Sequence, residues 1–255
     1  MRRLLAPVLV LAVLLGAWEL YVDSGSVDSA VLASPHQIAR ALVDDRGLLW
    51  SAFLVTAQEV LLGLAIAVAA GAALAILIHL IAPLRAGIYP LLVASQAVPV
   101  PILAVPLALW FGIGIGPKVV VTTIVSFFAV VVAMLDRLAA VDPELRKLMR
   151  TFDATRWQTL RHIELPAALP GVFTGAKIAA AVAVIGAVIG EMSGINGPGS
   201  GLGYLFNLAN NQLLTARAWA IVVVLSLFSI ALFALMSAAE RLLTPWSHQL
   251  KGDPL

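Results

Sequence analysis

An all-α polytopic membrane protein with six transmembrane helices is the fold this sequence predicts, on three observations. Of its 255 residues, 61% are hydrophobic and 12% charged, whereas ordinary soluble domains carry about 25% charge. Six apolar stretches approach or exceed the roughly 20 residues that a helix needs to cross the hydrocarbon of a bilayer. The Lys and Arg residues gather between alternate pairs of these stretches, the pattern of a chain whose two termini lie in the cytoplasm. The whole chain, 1–255, reads as a single transmembrane domain.

The spans are expected at about 4–21, 52–82, 86–111, 117–135, 171–193 and 217–243. The first opens with Arg2 and Arg3 before an apolar run from Leu4 to Ala17, the charge pattern of a secretory signal peptide. No A-x-A site closes the run, and Trp18 and Tyr21 suit the outer membrane interface, so it reads as an uncleaved span. In the outer segment from Asp23 to Trp50, Ser34 is placed to cap a short helix and Pro35 to fill its first position. That helix is expected to lie on the outer membrane surface.

The second span is long enough to tilt or to project from the bilayer. Pro99, Pro101 and Pro106 fall in the third; each removes a backbone donor, so a kinked helix is expected, its freed carbonyls satisfied by neighbouring helices or water. Ser95, Gln96 and Trp110 beside those prolines are candidates to line a solute route. A Gly-rich outer segment, Gly194 to Gly203, follows the fifth span. It lacks the GK[ST] ending of a phosphate-binding loop and reads as a flexible turn.

Charge sets the orientation. The inner segments hold Arg2, Arg3, Arg85, Arg137, Arg146, Lys147, Arg150, Arg156, Arg161, Lys177, Arg241 and Lys251, and the outer ones only Arg40, Arg46, Lys118 and Arg217, a three-to-one bias. A net charge of +2 is too small to imply a nucleic-acid partner. With no Cys and four scattered His, neither a disulfide framework, nor a thiol nucleophile, nor a protein-built metal site is expected, and no cofactor. An intramembrane enzyme would need a nucleophile and base at matching depth, and the His residues at 36, 79, 162 and 248 supply no such spacing. A secondary transporter, the alternative from another class, would show inverted repeats and charged midplane sites.

The polar loop 136–170 is the part that reads as a docking surface. Asp142 and Pro143 open a helix, with a carboxylate at the positive end of the dipole and Pro in the first turn. Thr151 to Trp157 form a turn, and Gln158 to Leu165 a second short helix that Pro166 ends; Pro170 precedes the fifth span. Trp157, Leu160 and Ile163 or Glu164 share one face at helical spacing.

An acidic opening, a small-residue turn and Ile163-Glu164-Leu165-Pro166 resemble the cytoplasmic signature loop of the permease subunits of binding-protein-dependent ABC importers. Ser95-Gln96-Ala97-Val98-Pro99, Leu109-Trp110-Phe111-Gly112, the run from Glu164 to Ala179, Gly190-Glu191-Met192 and Gly201-Leu202-Gly203-Tyr204 look like the nitrate, sulfonate, taurine and pyrimidine-precursor branch. Within it, Ser126-Phe127-Phe128 and the segment from Val184 to Glu191 are most similar to permeases for hydroxymethylpyrimidine-type thiamine precursors, with sulfonate, taurine or nitrate the alternatives.

The resemblance implies a type I importer permease, not itself an enzyme, in the plasma or inner membrane of a prokaryote. Its partners would be cytoplasmic ATP-binding subunits, an extracytoplasmic solute-binding protein and a second permease subunit, most simply an identical copy. It also implies that Arg150, Thr151, Phe152, Asp153, Ala154, Thr155, Arg156, Trp157, Leu160, Arg161, Ile163, Leu165 and Pro166 couple to the ATPase, with Trp157 and Leu160 as its anchors. Three departures stand out, the first that Leu148 and Met149 stand where the family usually has small residues. Asp153 occupies the position of the signature glycine, where a positive φ would make Asp one of the less costly substitutes and would leave a docking loop with a somewhat altered turn. Glu59 stands where related permeases often carry Arg. Glu191 reads either as a polar group meeting solute or binding protein at the outer mouth, or as a helix-end carboxylate in interfacial water or bonded to loop amides. Lys177 is expected to snorkel to the inner headgroups.

Overall fold

A computed structural model describes residues 2–25, 27–28, 30–193 and 200–246. Among these there is no strand, and eleven α-helices follow one another. They are α1 (Arg2–Asp23), α2 (Pro35–Asp44), α3 (Arg46–Leu80), α4 (Ala82–Ser95), α5 (Val100–Phe111) and α6 (Ile115–Ala139), then α7 (Pro143–Thr151), α8 (Arg156–Thr159), α9 (Leu165–Met192), α10 (Leu202–Asn211) and α11 (Thr215–Leu243). One turn of π-helix, Leu160–Glu164, joins α8 to α9.

Four helical runs are long and apolar enough to cross a membrane: α3, α6, the run Arg156–Met192 and α11. The bent pair α4–α5 makes a fifth if counted as one span, and α1 occupies the first of the six expected positions. The third span is thus not the kinked helix that the prolines suggest. Its halves meet at 101°, because Pro99 and Pro101 remove consecutive chances to continue the ladder and Gln96 to Pro99 leave the helix altogether.

The centre of the bundle is α3, α6 and α9. Val60 and Leu64 of α3, Val130 of α6 and Ala179, Ala180, Ala183 and Ala187 of α9 form one buried cluster. Small residues set the spacing, since a Cβ on Gly175 would stand 2.6 Å from the Val130 Cα, so the two backbones are in direct contact. A second cluster gathers Ile78, Met134, Leu135, Leu138, Leu160 and Ala168 at the end that carries α7 and α8. At the opposite end α2 contributes Ile38 and Ala41 to a third cluster with Leu202 and Ile221. The expected surface helix is therefore a packed one, fixed by the fork of Arg217 on the Asp45 carboxylate at 2.6 and 2.8 Å. Trp18 packs edge-to-face on Trp219, 5.5 Å between centroids.

Two helix ends use the same turn. After α7, Ala154 N donates to Met149 O and Asp153 N to Arg150 O; after α10, Leu214 N donates to Ala209 O and Leu213 N to Asn210 O. This is the Schellman pattern, whose C′ residue must be left-handed, and Asp153 and Leu213 have φ of 53° and 57°. Leu213 is 69% exposed, so it takes the strain of that conformation with little packing in return. Leu213→Gly is expected to raise stability by up to about 1 kcal/mol, read as a higher Tm in detergent.

Candidate functional site: a docking face at one end and a buried charge cluster at the other

The candidate docking face is built from α7 and α8. Asp142 caps α7, its side chain accepting from Glu144 N at 2.8 Å. No residue of α7 is buried. Leu145, Leu148 and Phe152, at i, i+3 and i+7, are 43%, 51% and 74% exposed. Thr155 caps α8, accepting from Gln158 N while Thr155 N donates to Gln158 Oε1 at 2.7 Å. This reciprocal capping box was readable in Thr155-x-x-Gln158 and moves the helix start ahead of Gln158.

Trp157 is 58% exposed on the same face, and Arg150, Thr151, Asp153, Thr155, Arg156 and Arg161 are exposed around it, with Ala154 and Ile163 half-buried. Leu160 is the correction. It is 0% exposed, packed against Ile78 and Leu138 inside the bundle, at the start of the π-turn that joins α8 to α9. Phe152, not Leu160, is the second large apolar group facing outward.

Pro166 does not end the helix. Leu165 N donates to Leu160 O, five residues back, and this widened turn gives the ring room where an α-turn would clash. Pro166 then sits in the first turn of α9 and Pro170 inside it. The expected break before the fifth span is absent, and α8 runs into that span without interruption.

Side-chain bonds tie this face to the bundle. Glu164, nearly fully buried, accepts from Arg146 Nε at 2.7 Å and lies 2.9 Å from His79 Nε2 at the end of α3. Arg146 also donates to Leu138 O at 2.6 Å, and Arg156 to His79 O at 3.2 Å. The Lys177 ammonium pairs with Glu240 of α11 at 2.7 Å.

At the opposite end, Glu59, Lys118 and Glu191 come from three helices into one buried layer, 1%, 2% and 0% exposed. Lys118 Nζ donates to Glu59 Oε1 at 2.9 Å. Glu191 accepts from Thr56 Oγ1 at 2.7 Å and from Gly203 N, and Leu202 N donates to Thr56 Oγ1 at 2.8 Å. The carboxyls of Glu59 and Glu191 are close enough to interact. A Cβ on Gly203 would stand 2.7 Å from Glu191 Oε2, and one on Gly201 closer still to Oε1, so glycine is what lets the chain close over the carboxylate. Glu191 is thus bonded to the Gly203 amide and the Thr56 hydroxyl and is fully buried. Residues 194–199 of the Gly-rich segment lie outside the described residues.

Sequence reasoning missed the Glu59–Lys118 pair, which joins positions 59 residues apart. Ser95 and Gln96 are exposed at the α4–α5 break, and Trp110 is 77% exposed on α5. His36, read as isolated, pairs with Glu19 and Ser34, and Glu19, Asp23 and His36 offer three ligand atoms within 4.8 Å of one another.

A family model described as the binding-protein-dependent transport system inner membrane component matches residues 63–248. The chain belongs to that family. This permease is 36% identical to a probable ABC transporter permease protein of Haemophilus influenzae, over 91% of this chain and 93% of the relative. It is 34% identical to the formylaminopyrimidine transport permease protein ThiX of Halalkalibacterium halodurans, over 95% of this chain and 96% of that one. Its fold matches the solved structure of an amino acid ABC transporter with histidines, TM-score 0.59, 15% identity, covering 80% of this chain and 96% of the other. The permease is therefore the membrane-spanning transport component of an ABC importer, of the sulfonate, taurine and pyrimidine branch.

In the permease, Asp153 adopts a left-handed backbone, φ 53°, a conformation that glycine takes without strain. Asp153→Gly is expected to stay within about 0.5 kcal/mol of the native protein, whereas Asp153→Val, β-branched at positive φ, costs about 1–3 kcal/mol. Thermal unfolding of the two variants in one detergent measures the difference.

Proposed function

We propose that the permease forms a solute path with a second copy of itself and couples that path, through α7 and α8, to ATP-binding subunits in the cytoplasm. The observation that carries this reading is the exposed apolar stripe of Leu145, Leu148, Phe152 and Trp157, standing on a base fixed by Glu164, Arg146 and His79. An apolar stripe of this kind, flanked by Arg156 and Arg161, has the composition of an interface core with a charged rim. Both termini lie on the cytoplasmic side in this reading, and a solute-binding protein meets the opposite end.

The break between α4 and α5 supports the path. Residues 95–99 are exposed in a single chain, and non-helical backbone at membrane depth is tolerated only where protein covers it or water lines it. A second permease copy and an aqueous route meet that need together, with Ser95 and Gln96 at the route. Trp110 faces the same exposed surface of α5. For the solute, likeness to the ThiX permease over nearly the full length of both chains favours a hydroxymethylpyrimidine-type thiamine precursor.

The test is reconstitution in proteoliposomes with the cognate ATP-binding subunit and binding protein. Uptake of labelled hydroxymethylpyrimidine should require ATP and all three components. Movement of solute by the permease alone, driven by an ion gradient, would overturn the reading.

A further inference from the structure

The end of the permease that carries α7 and α8 has a recess that the docking stripe does not use. A cavity of about 400 Å³ opens between α3, α7 and α8, lined by His79, Arg146, Arg150, Arg156, Thr159 and Glu164. Three guanidinium groups meet there with one carboxylate, and that carboxylate is fully engaged: one oxygen on Arg146, the other on His79. Arg156 donates one N–H to the His79 carbonyl and keeps the rest of its fork free. Arg150 makes no bond to the described residues. The cavity therefore is lined by two guanidinium groups that no carboxylate in it balances.

Like charges crowded into a partly enclosed recess repel each other unless an anion joins them. Free donors in fixed planar forks, with a Thr hydroxyl in the same wall, suit an oxyanion with several acceptor oxygens. We infer that this cavity is a binding site for a phosphate group, held by Arg150 and Arg156, with Arg146 kept in place by Glu164 as the inner wall. Such a group comes either from an anionic lipid headgroup, since His79 ends the membrane span α3, or from free phosphate. The ligand joins α7 to α8 across the Asp153 turn, so its binding stiffens the element that carries the docking stripe.

The experiment uses the full chain in a maltoside detergent, which carries no phosphate of its own. Inorganic phosphate is titrated in by calorimetry, and phosphatidylglycerol is followed by native mass spectrometry, so that free anion and headgroup are separate arms. At least one probe is expected to bind, with affinity that falls as salt rises. Arg150→Ala, which breaks no internal bond, should weaken that binding at least tenfold without moving the Tm, and Arg150→Lys should recover part of it. Lys147→Ala, whose ammonium pairs with Glu144 outside the cavity, should change nothing. Failure of both probes to bind overturns the inference, as does equal loss in Lys147→Ala and Arg150→Ala. If neither probe binds but Arg150→Ala alone loses capture of the ATP-binding subunit, an acidic side chain of that subunit is the occupant and the phosphate site is overturned.

Discussion

Trp157→Ala and Phe152→Ala are each expected to weaken capture of the ATP-binding subunit by about 30-fold or more while the permease still inserts and folds. Large aromatic groups at the centre of an interface carry about 2 kcal/mol or more each, and these two are 58% and 74% exposed in the isolated chain, so truncation removes little internal packing. Leu160→Ala is the control of opposite sign. Its side chain is 0% exposed among Ile78, Leu138 and Ala168, so its loss should cost the fold about 2–5 kcal/mol and lower folded yield. Co-purification with the ATPase, read beside a melting curve, separates the two. If Trp157→Ala captured the ATPase normally, the stripe on α7 and α8 would lose its docking role.

Lys118→Ala is expected to destabilise the permease by about 3–5 kcal/mol, because it leaves Glu59 buried without its cation. The double replacement Glu59→Leu with Lys118→Met removes both charges and should recover most of that loss, since a buried pair adds little over apolar residues of similar volume. Folded fraction after heating in detergent measures both. A single Lys118→Ala variant as stable as the native protein would show that Glu59 finds another partner, with Glu191 the nearest group on hand. Transport by the double variant then reports whether the charges serve more than the fold.

The helices were legible because hydrophobic length and proline placement are local properties. Asp142 and Pro143 start α7 where expected, and the family likeness carried by Ile163 to Pro166 and Gly190 to Met192 is upheld by the match over residues 63–248. What sequence could not supply was direction and distance. Leu160 and Trp157 share helical spacing, yet one turns inward and the other outward, which depends on where α3 and α6 lie. Pro166 reads as a terminator by rule; only the π-turn, a deviation with no sequence signature of its own here, lets the helix pass through it. Glu59 with Lys118, and Glu164 with Arg146 and His79, are pairings across long stretches of chain, set by which helices are neighbours. Asp153 lies between: its tolerance of positive φ was readable, and the Schellman bonds that demand it were not.

The uninterrupted run from Arg156 to Met192, 37 residues, has a mechanical consequence. At 1.5 Å per residue it measures about 55 Å, with the Trp157 face at one end and Glu191 at the other. Moved as a rigid rod, a helix of that length would act as a lever: a pivot of about 5° about the Trp157 end would carry the Glu191 end by roughly 5 Å. That displacement exceeds the reach of every hydrogen bond holding Glu191 to Thr56 and Gly203. Under the proposed function, a small rotation delivered to α8 by a docked ATPase would break the bonds of Glu191 to Thr56 and Gly203, with no relay of side chains in between.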